Sequence, residues 1–211
     1  MRPTLINRKP DMHVTDTPLS RTQRLKAATH ATHDALDQRI MAYRPFSSHA
    51  HYRRFLQAQY LFLRDADALY DNPGLAALFA DLAERRRQHL IAADLDDLDD
   101  LGCPLPAPAS SAPIDSQLDV ATAMGWLYVV EGSKLGAAIL LKMAQALGLN
   151  EEKGARHLGG HPDGRARHWR DFTRALDALT LDPDAEARVS AGAKAAFTLM
   201  NQHLDQVYGC A

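Results

Sequence analysis

His33 stands where two chemistries meet on one helix. In the stretch "LKAATHATHDALDQRI", a turn of 100° per residue puts Thr29, Leu36 and Ile40 within about 60° of it on one side. Lys26 and Asp37 fall within about 40° on the other side. An imidazole on such a border has two readings. It is a hydrogen-bonded structural residue, or it binds a metal carried by a large flat molecule. In the second reading the apolar stripe meets the plane of that molecule and Lys26 pairs with an acidic group on its edge. Asp37, one turn on, then orients the ring. His30 lies further into the polar side.

A second segment, "MGWLYVVEGSKLGAAILLKMAQALG" from Met124 to Gly148, reads as an apolar helix interrupted by "EGSKLG". Each interior glycine costs roughly 1 kcal/mol relative to Ala. Gly132, Gly136, Ile139 and Met143 all project within about 40° of Gly125, so the glycines share one stripe and form a trough. Close helix–helix packing is one cause for such a trough. The other is a helix bent across a flat ligand, with Ser133 placing a polar group beside it and a kink freeing backbone carbonyls.

The elements that must position these residues read as helices. "SRTQ" at Ser20–Gln23 resembles a capping box that starts a helix running to about Met41. A second helix begins near Ser47 or Ser48 and is stopped by "DNPG" at Asp71–Gly74. A third is expected over roughly Leu75–Asp97. The breaker-rich "GCPLPAPASSAP", Gly102–Pro113, then leads to the glycine helix at about Gln117–Leu147. Another helix spans about Asp163–Leu179, and "LDPDAE" opens the last, with Asp182 as cap and Pro183 in its first turn, to about Tyr208. No segment shows period-2 alternation. The expectation is an all-α fold of six or so helices in one domain, 19–211, behind a loose polar leader, 1–18.

Bulk properties exclude several classes. The chain has 211 residues, 46% hydrophobic and 24% charged, with net charge −2, which gives no reason to expect nucleic acid. The basic run at Glu84–His89 reads as a solvated face or a few internal ion pairs. Cys103 and Cys210 suggest no disulfide framework, zinc site or nucleophile, so a reducing cytoplasm is the default. No run reads as a membrane span, and no membrane partner is expected.

Together, "LKAATHATHDALD" and "WLYVVEGSKLGAAILLK" resemble heme oxygenase of the bacterial branch. The first is similar to that family's proximal motif and the second to its distal helix. Further likeness lies in "YRRFLQAQYLF", "LYDNPGLAAL" and "GARHLGGHPDGRARHWRDFTRALDAL", in order from Ser20 to Tyr208. The resemblance implies a helical bundle with heme sandwiched between a proximal and a kinked distal helix. It implies cleavage of heme, with O2 and external electrons, to biliverdin, carbon monoxide and ferrous iron. His33 is then the axial ligand, and Gly132, Ser133 and Gly136 flank bound oxygen. Lys26 and Lys194 meet the propionates, Phe197 shares the face of Lys194, and Tyr128 touches the heme edge. Gln59 and Arg87 match polar groups of the family's distal water network. The implied partner is a ferredoxin or reductase, and a monomer is expected. Met41 is not a basic residue that could hold a rotated heme, so attack at the α-meso carbon is favoured. The rivals are a heme carrier or sensor on the same fold, and a helical interaction module or thiamin-pathway enzyme.

Overall fold

The computed structural model describes residues 18–101 and 114–209. The expected leader, the Gly102–Pro113 connection and both cysteines lie outside these residues. Seven α-helices are described: α1 Arg21–Ala42, α2 His49–Ala66, α3 Pro73–Leu78, α4 Gln88–Asp100, α5 Val120–Gln145, α6 Arg165–Ala178 and α7 Pro183–Tyr208. Among the described residues there is no strand, only isolated bridges at Asn150.

The helix starts follow their local signals. Ser20 and Gln23 complete a capping box, each side chain bonding the other's backbone N–H. Ser48 caps α2, and Asp182 caps α7 ahead of Pro183. The helix expected over Leu75–Asp97 is instead broken into α3, a 3-10 turn at Ala83–Arg85, and α4. Tertiary packing overrides its periodicity. Phe79 leaves helical geometry to stack on Phe172 at 5.0 Å, and Arg85 turns inward to reach buried Glu131 at 2.9 Å. The run of basic residues at Glu84–His89 is thus partly an internal ion-pair cluster. Arg86 pairs outward with Asp67 and Asp71.

The main core gathers α5, α6 and α7 with faces of α1, α2 and α3, and a second cluster joins α2 and α4 to the far half of α5. The most extensive helix pair is α5 on α7. Here two glycines meet the partner backbone: a Cβ on Gly125 would lie 1.9 Å from the Val189 carbonyl oxygen, and one on Gly192 2.1 Å from that of Thr122. The glycine stripe therefore divides. Gly125 serves packing, whereas a Cβ on Gly136 would meet nothing within 4 Å. By length and composition α5 is apolar enough to cross a membrane, which the expectation of no such run had not credited. Helicity continues unbroken through "EGSKLG".

Helix α1 is fixed at both ends. Near its start, buried Arg21 pairs with Glu186 at 2.8 Å and donates to the Leu176 and Leu179 carbonyls. Near its end, Arg39 pairs with Asp205, and Tyr43 stacks on Tyr208 with ring centres 3.8 Å apart. It packs on α6 and α7 and makes at most marginal contact with α5. Helices α1 and α5 are thus braced by the same two helices while hardly touching each other.

The two glycine environments predict opposite effects of one methyl group. Gly125→Ala should lower Tm by about 5–10 °C, because overpacking costs roughly 1–3 kcal/mol. Gly136→Ala should leave Tm unchanged or raise it by about 2 °C, since an exposed helical glycine gains roughly 0.5–1 kcal/mol on conversion to Ala. Thermal unfolding followed by circular dichroism checks both.

Candidate functional site

The candidate residues lie on α1 and on α5. Only Arg21, Leu25, Thr29 and Leu36 of α1 are buried, so the rest of the helix is available to a ligand. His33 is 57% exposed at its side chain, with Nδ1 3.3 Å from an Asp37 oxygen and 3.9 Å from one of Asp34. That geometry puts Asp37 in direct reach of the ring and leaves Nε2 as the nitrogen able to hold a metal. Phe197 of α7 supports the imidazole edge-on, ring centres 6.1 Å apart at 77°. Three residues before it, Lys194 is exposed, as is Lys26 two turns before His33. Among the described residues neither ammonium group has a carboxylate partner. Each is free to meet an acidic edge group.

On the α5 side, Gly136, Ser133 and Ile139 are exposed and Gly132 is half-buried. Ile139 is 68% and Leu135 40% exposed, an apolar surface suited to a flat hydrophobic ligand. The stripe that contains Gly132 and Gly136 carries no titratable side chain. Ser133 donates to the Val130 carbonyl at 2.7 Å, so its hydroxyl is tied to its own helix. Tyr128 is buried and packs on Trp169 with ring centres 5.6 Å apart. Trp169 of α6 also closes one flank of the trough, since a Cβ on Gly132 would sit 3.6 Å from its ring. Sequence reading did not single out Trp169; its sole local signal was an aromatic on an amphipathic helix. The structure brings His33 to Phe197, and Gly132 and Tyr128 to Trp169.

Behind α5 lies a buried polar chain that the sequence did not disclose. His157 Nδ1 is 2.7 Å from Asp94 Oδ2, and its Nε2 is 3.0 Å from Gln59 Oε1. Asp94 also accepts the His157 and Arg156 backbone N–H groups at 2.9 and 2.8 Å. Arg87 donates to the carbonyls of His157 and Gly159 at 3.0 and 2.7 Å. Gln59 and Arg87 thus meet at His157, a residue with no distinguishing local pattern. Burial raises the Asp94 carboxyl, but hydrogen bonds from His157 outweigh it and hold Asp94 below its usual range. Burial pushes the His157 imidazole down, with Asp94 offsetting only part of the shift. Nδ1 faces the Asp94 acceptor, which leaves Nε2 to the Gln59 side-chain amide.

The depressed His157 sets a sign for pH dependence. The folded state binds fewer protons than the unfolded one, so stability is present above the unfolded value of about 6.5 and is lost as pH falls below it. Tm should fall between pH 7 and pH 5, and that fall should shrink in His157→Gln. His168, also lowered by burial, retains a residual slope in the variant.

A family model described as heme oxygenase matches residues 19–206. Heme oxygenase PigA of Pseudomonas aeruginosa is 42% identical over 188 residues, 89% of this chain and 93% of that protein. The heme oxygenase of Neisseria meningitidis, solved with NO and CO bound, superposes with a TM-score of 0.83 at 40% identity, covering 92% of this chain and 94% of that one. The heme oxygenase of Leptospira interrogans shares the fold, with a TM-score of 0.66 at 20% identity over 88% of this chain and 98% of its own. With a family model matching residues 19–206, a span that includes both α1 and α5, the chain belongs to the heme oxygenase family.

Proposed function

We propose that heme, the substrate, is seated between α1 and α5, with His33 as axial ligand and the Gly132–Gly136 stripe over the opposite face. One observation carries this reading. Helices α1 and α5 are both braced on α6 and α7 and hardly touch each other, and one carries an exposed ring nitrogen while the other carries an apolar stripe with open space at Gly136. When bound, heme supplies both the iron that activates O2 and the ring that is opened to biliverdin, carbon monoxide and ferrous iron.

The chain's own residues then divide the work. Asp37 holds Nδ1, and because the pair is more than half exposed its pull on the imidazole stays modest. Lys26 and Lys194 are the partners for the propionates, each as a surface charge. Phe197 fixes the ring edge, while Tyr128 and Trp169 close the flank. Gly132 and Gly136 let backbone rather than side chain approach the reacting face, and their stripe places no acid–base pair there to split an O–O bond. The Asp94–His157–Gln59 chain and Arg87 form a buried polar route that can hold a proton away from bulk water. Met41, 42% exposed and uncharged, offers no cation to a rotated heme, which favours the α-meso carbon. Electrons come from a separate ferredoxin or reductase, a demand that fits a reducing cytoplasm, and the monomer carries a complete site.

His33→Ala should remain folded, because the side chain is exposed, yet lose at least about 100-fold in biliverdin formation along with its native heme spectrum. Asp37→Asn should lose less, on the order of tenfold. Replacing Gly136 by Leu should leave Tm near that of the parent and heme still bound, while biliverdin formation falls about 100-fold. Unchanged turnover in that variant would sink the proposed roof. A stable heme complex that ascorbate or ferredoxin with its reductase cannot bleach would mark a carrier or sensor instead.

A further inference from the structure

Helix α5 changes its manner of attachment at Glu131. Up to Val130 it is held by apolar burial and by the close crossing at Gly125, and Ala144 is buried again in the second core. From Gly132 to Ile139 the one buried residue is Ala137, which contributes a single methyl group. A Cβ on Gly132 would meet only the Trp169 ring, at 3.6 Å, and one on Gly136 would meet nothing within 4 Å. The stretch that carries the bare stripe therefore has little hydrophobic contact to hold it in place.

Polar bonds take over that task. The Glu131 carboxylate is 3% exposed and accepts from three groups. Arg85, in the 3-10 turn, reaches Oε2 at 2.9 Å, while Tyr70 and Lys134 reach Oε1 at 3.3 and 2.5 Å. Lys134 also donates to the Arg85 carbonyl at 2.8 Å, so α5 and the turn are joined twice. Arg85 extends the link to Asp81 at 2.7 Å, and its guanidinium lies 5.4 Å from the centre of the Phe172 ring on α6, the helix that carries Trp169. On the helix Glu131 projects roughly 100–140° away from Gly132 and Gly136. It faces the 70–85 region rather than the bare stripe. A buried carboxylate with several donors holds its geometry, because displacement leaves a charge unpaired.

We propose that Glu131 is a positioning residue for heme cleavage. Held by Arg85, Tyr70 and Lys134, it sets the height of the Gly132–Gly136 backbone over the heme without touching it. The inference rests on the seating of heme proposed above. Selective opening of the ring at one carbon demands a fixed opposite wall, since a misplacement on the order of 1 Å costs about 100-fold in rate. In α5 that wall is fixed by charge rather than by side-chain packing.

Glu131→Gln keeps the shape of the side chain and removes its charge. Hydrogen exchange in the heme-free protein, followed by mass spectrometry, reads the anchoring directly. In the parent, amides of residues 133–137 should exchange within about tenfold of those at 124–130. In Glu131→Gln the 133–137 amides should exchange at least about tenfold faster, with 124–130 unchanged. Heme affinity, followed by the Soret band, should match the parent, while biliverdin formation falls about tenfold and the parent's single isomer becomes a mixture. Arg85→Lys keeps the charge but loses the fork that joins Asp81 to Glu131, and should show the same pattern. Rapid exchange at 133–137 in the parent overturns the proposal, whether or not either variant folds. So does a variant that binds heme like the parent and matches its rate and isomer. Lost heme affinity, or faster exchange spread evenly over all helices, marks a merely structural role and overturns it as well. A parent that yields no biliverdin overturns the heme reading itself, a failure that the exchange measurement keeps apart from this one.

Discussion

Helices α5 and α7 cross so closely that at two points no side chain separates them. Gly125 rests against the Val189 carbonyl and Gly192 against that of Thr122. The walls of the site are all referred to this crossing. Helix α5 carries the bare stripe, α7 carries Phe197 and Lys194, and α1 is pinned to α7 by Arg21–Glu186 and Arg39–Asp205. Close-packed interiors transmit displacement rather than absorb it. A shift at the crossing therefore moves both walls of the proposed heme site at once.

The second constraint is electrostatic. Several charged and polar groups are buried: Glu131, Arg85, Asp94, His157 and Asp65. A buried charge is tolerated only with partners at hydrogen-bond distance. Satisfying Arg85 and Glu131 is what draws the 79–87 segment out of a continuous helix. Satisfying Asp94 is what anchors the loop at Arg156 and His157 onto α4. These polar demands shape the loops behind α5 and bring Gln59, Arg87 and His157 together.

Much of the proposed site was legible because its residues sit on two regular helices. A period of 3.6 residues places Lys26, His33 and Asp37 on one side of α1, and groups Gly132 and Gly136 on α5, without reference to any other element. Capping chemistry located the starts of α1, α2 and α7 for the same reason. What periodicity could not reveal is whether a glycine faces a helix or open space, so Gly125 shared a stripe with Gly132 while serving a different purpose. Nor could it show Trp169 closing the trough, since its contacts with Tyr128 and Gly132 span distant segments. Asp94, His157 and Gln59 are separated by loops and helices and meet only through the fold.

The sequence by itself determined the class of fold, the starts of α1, α2 and α7, the candidate ligand His33 and the family resemblance. These follow from local chemistry: side-chain spacing, capping and the conformational range of glycine and proline. Tertiary structure alone decided where α3 ends, which glycines pack and which stay open, and how the buried charges are shared. Those outcomes depend on groups remote in the chain competing for the same space and the same hydrogen-bond partners, and no local pattern encodes the result of that competition.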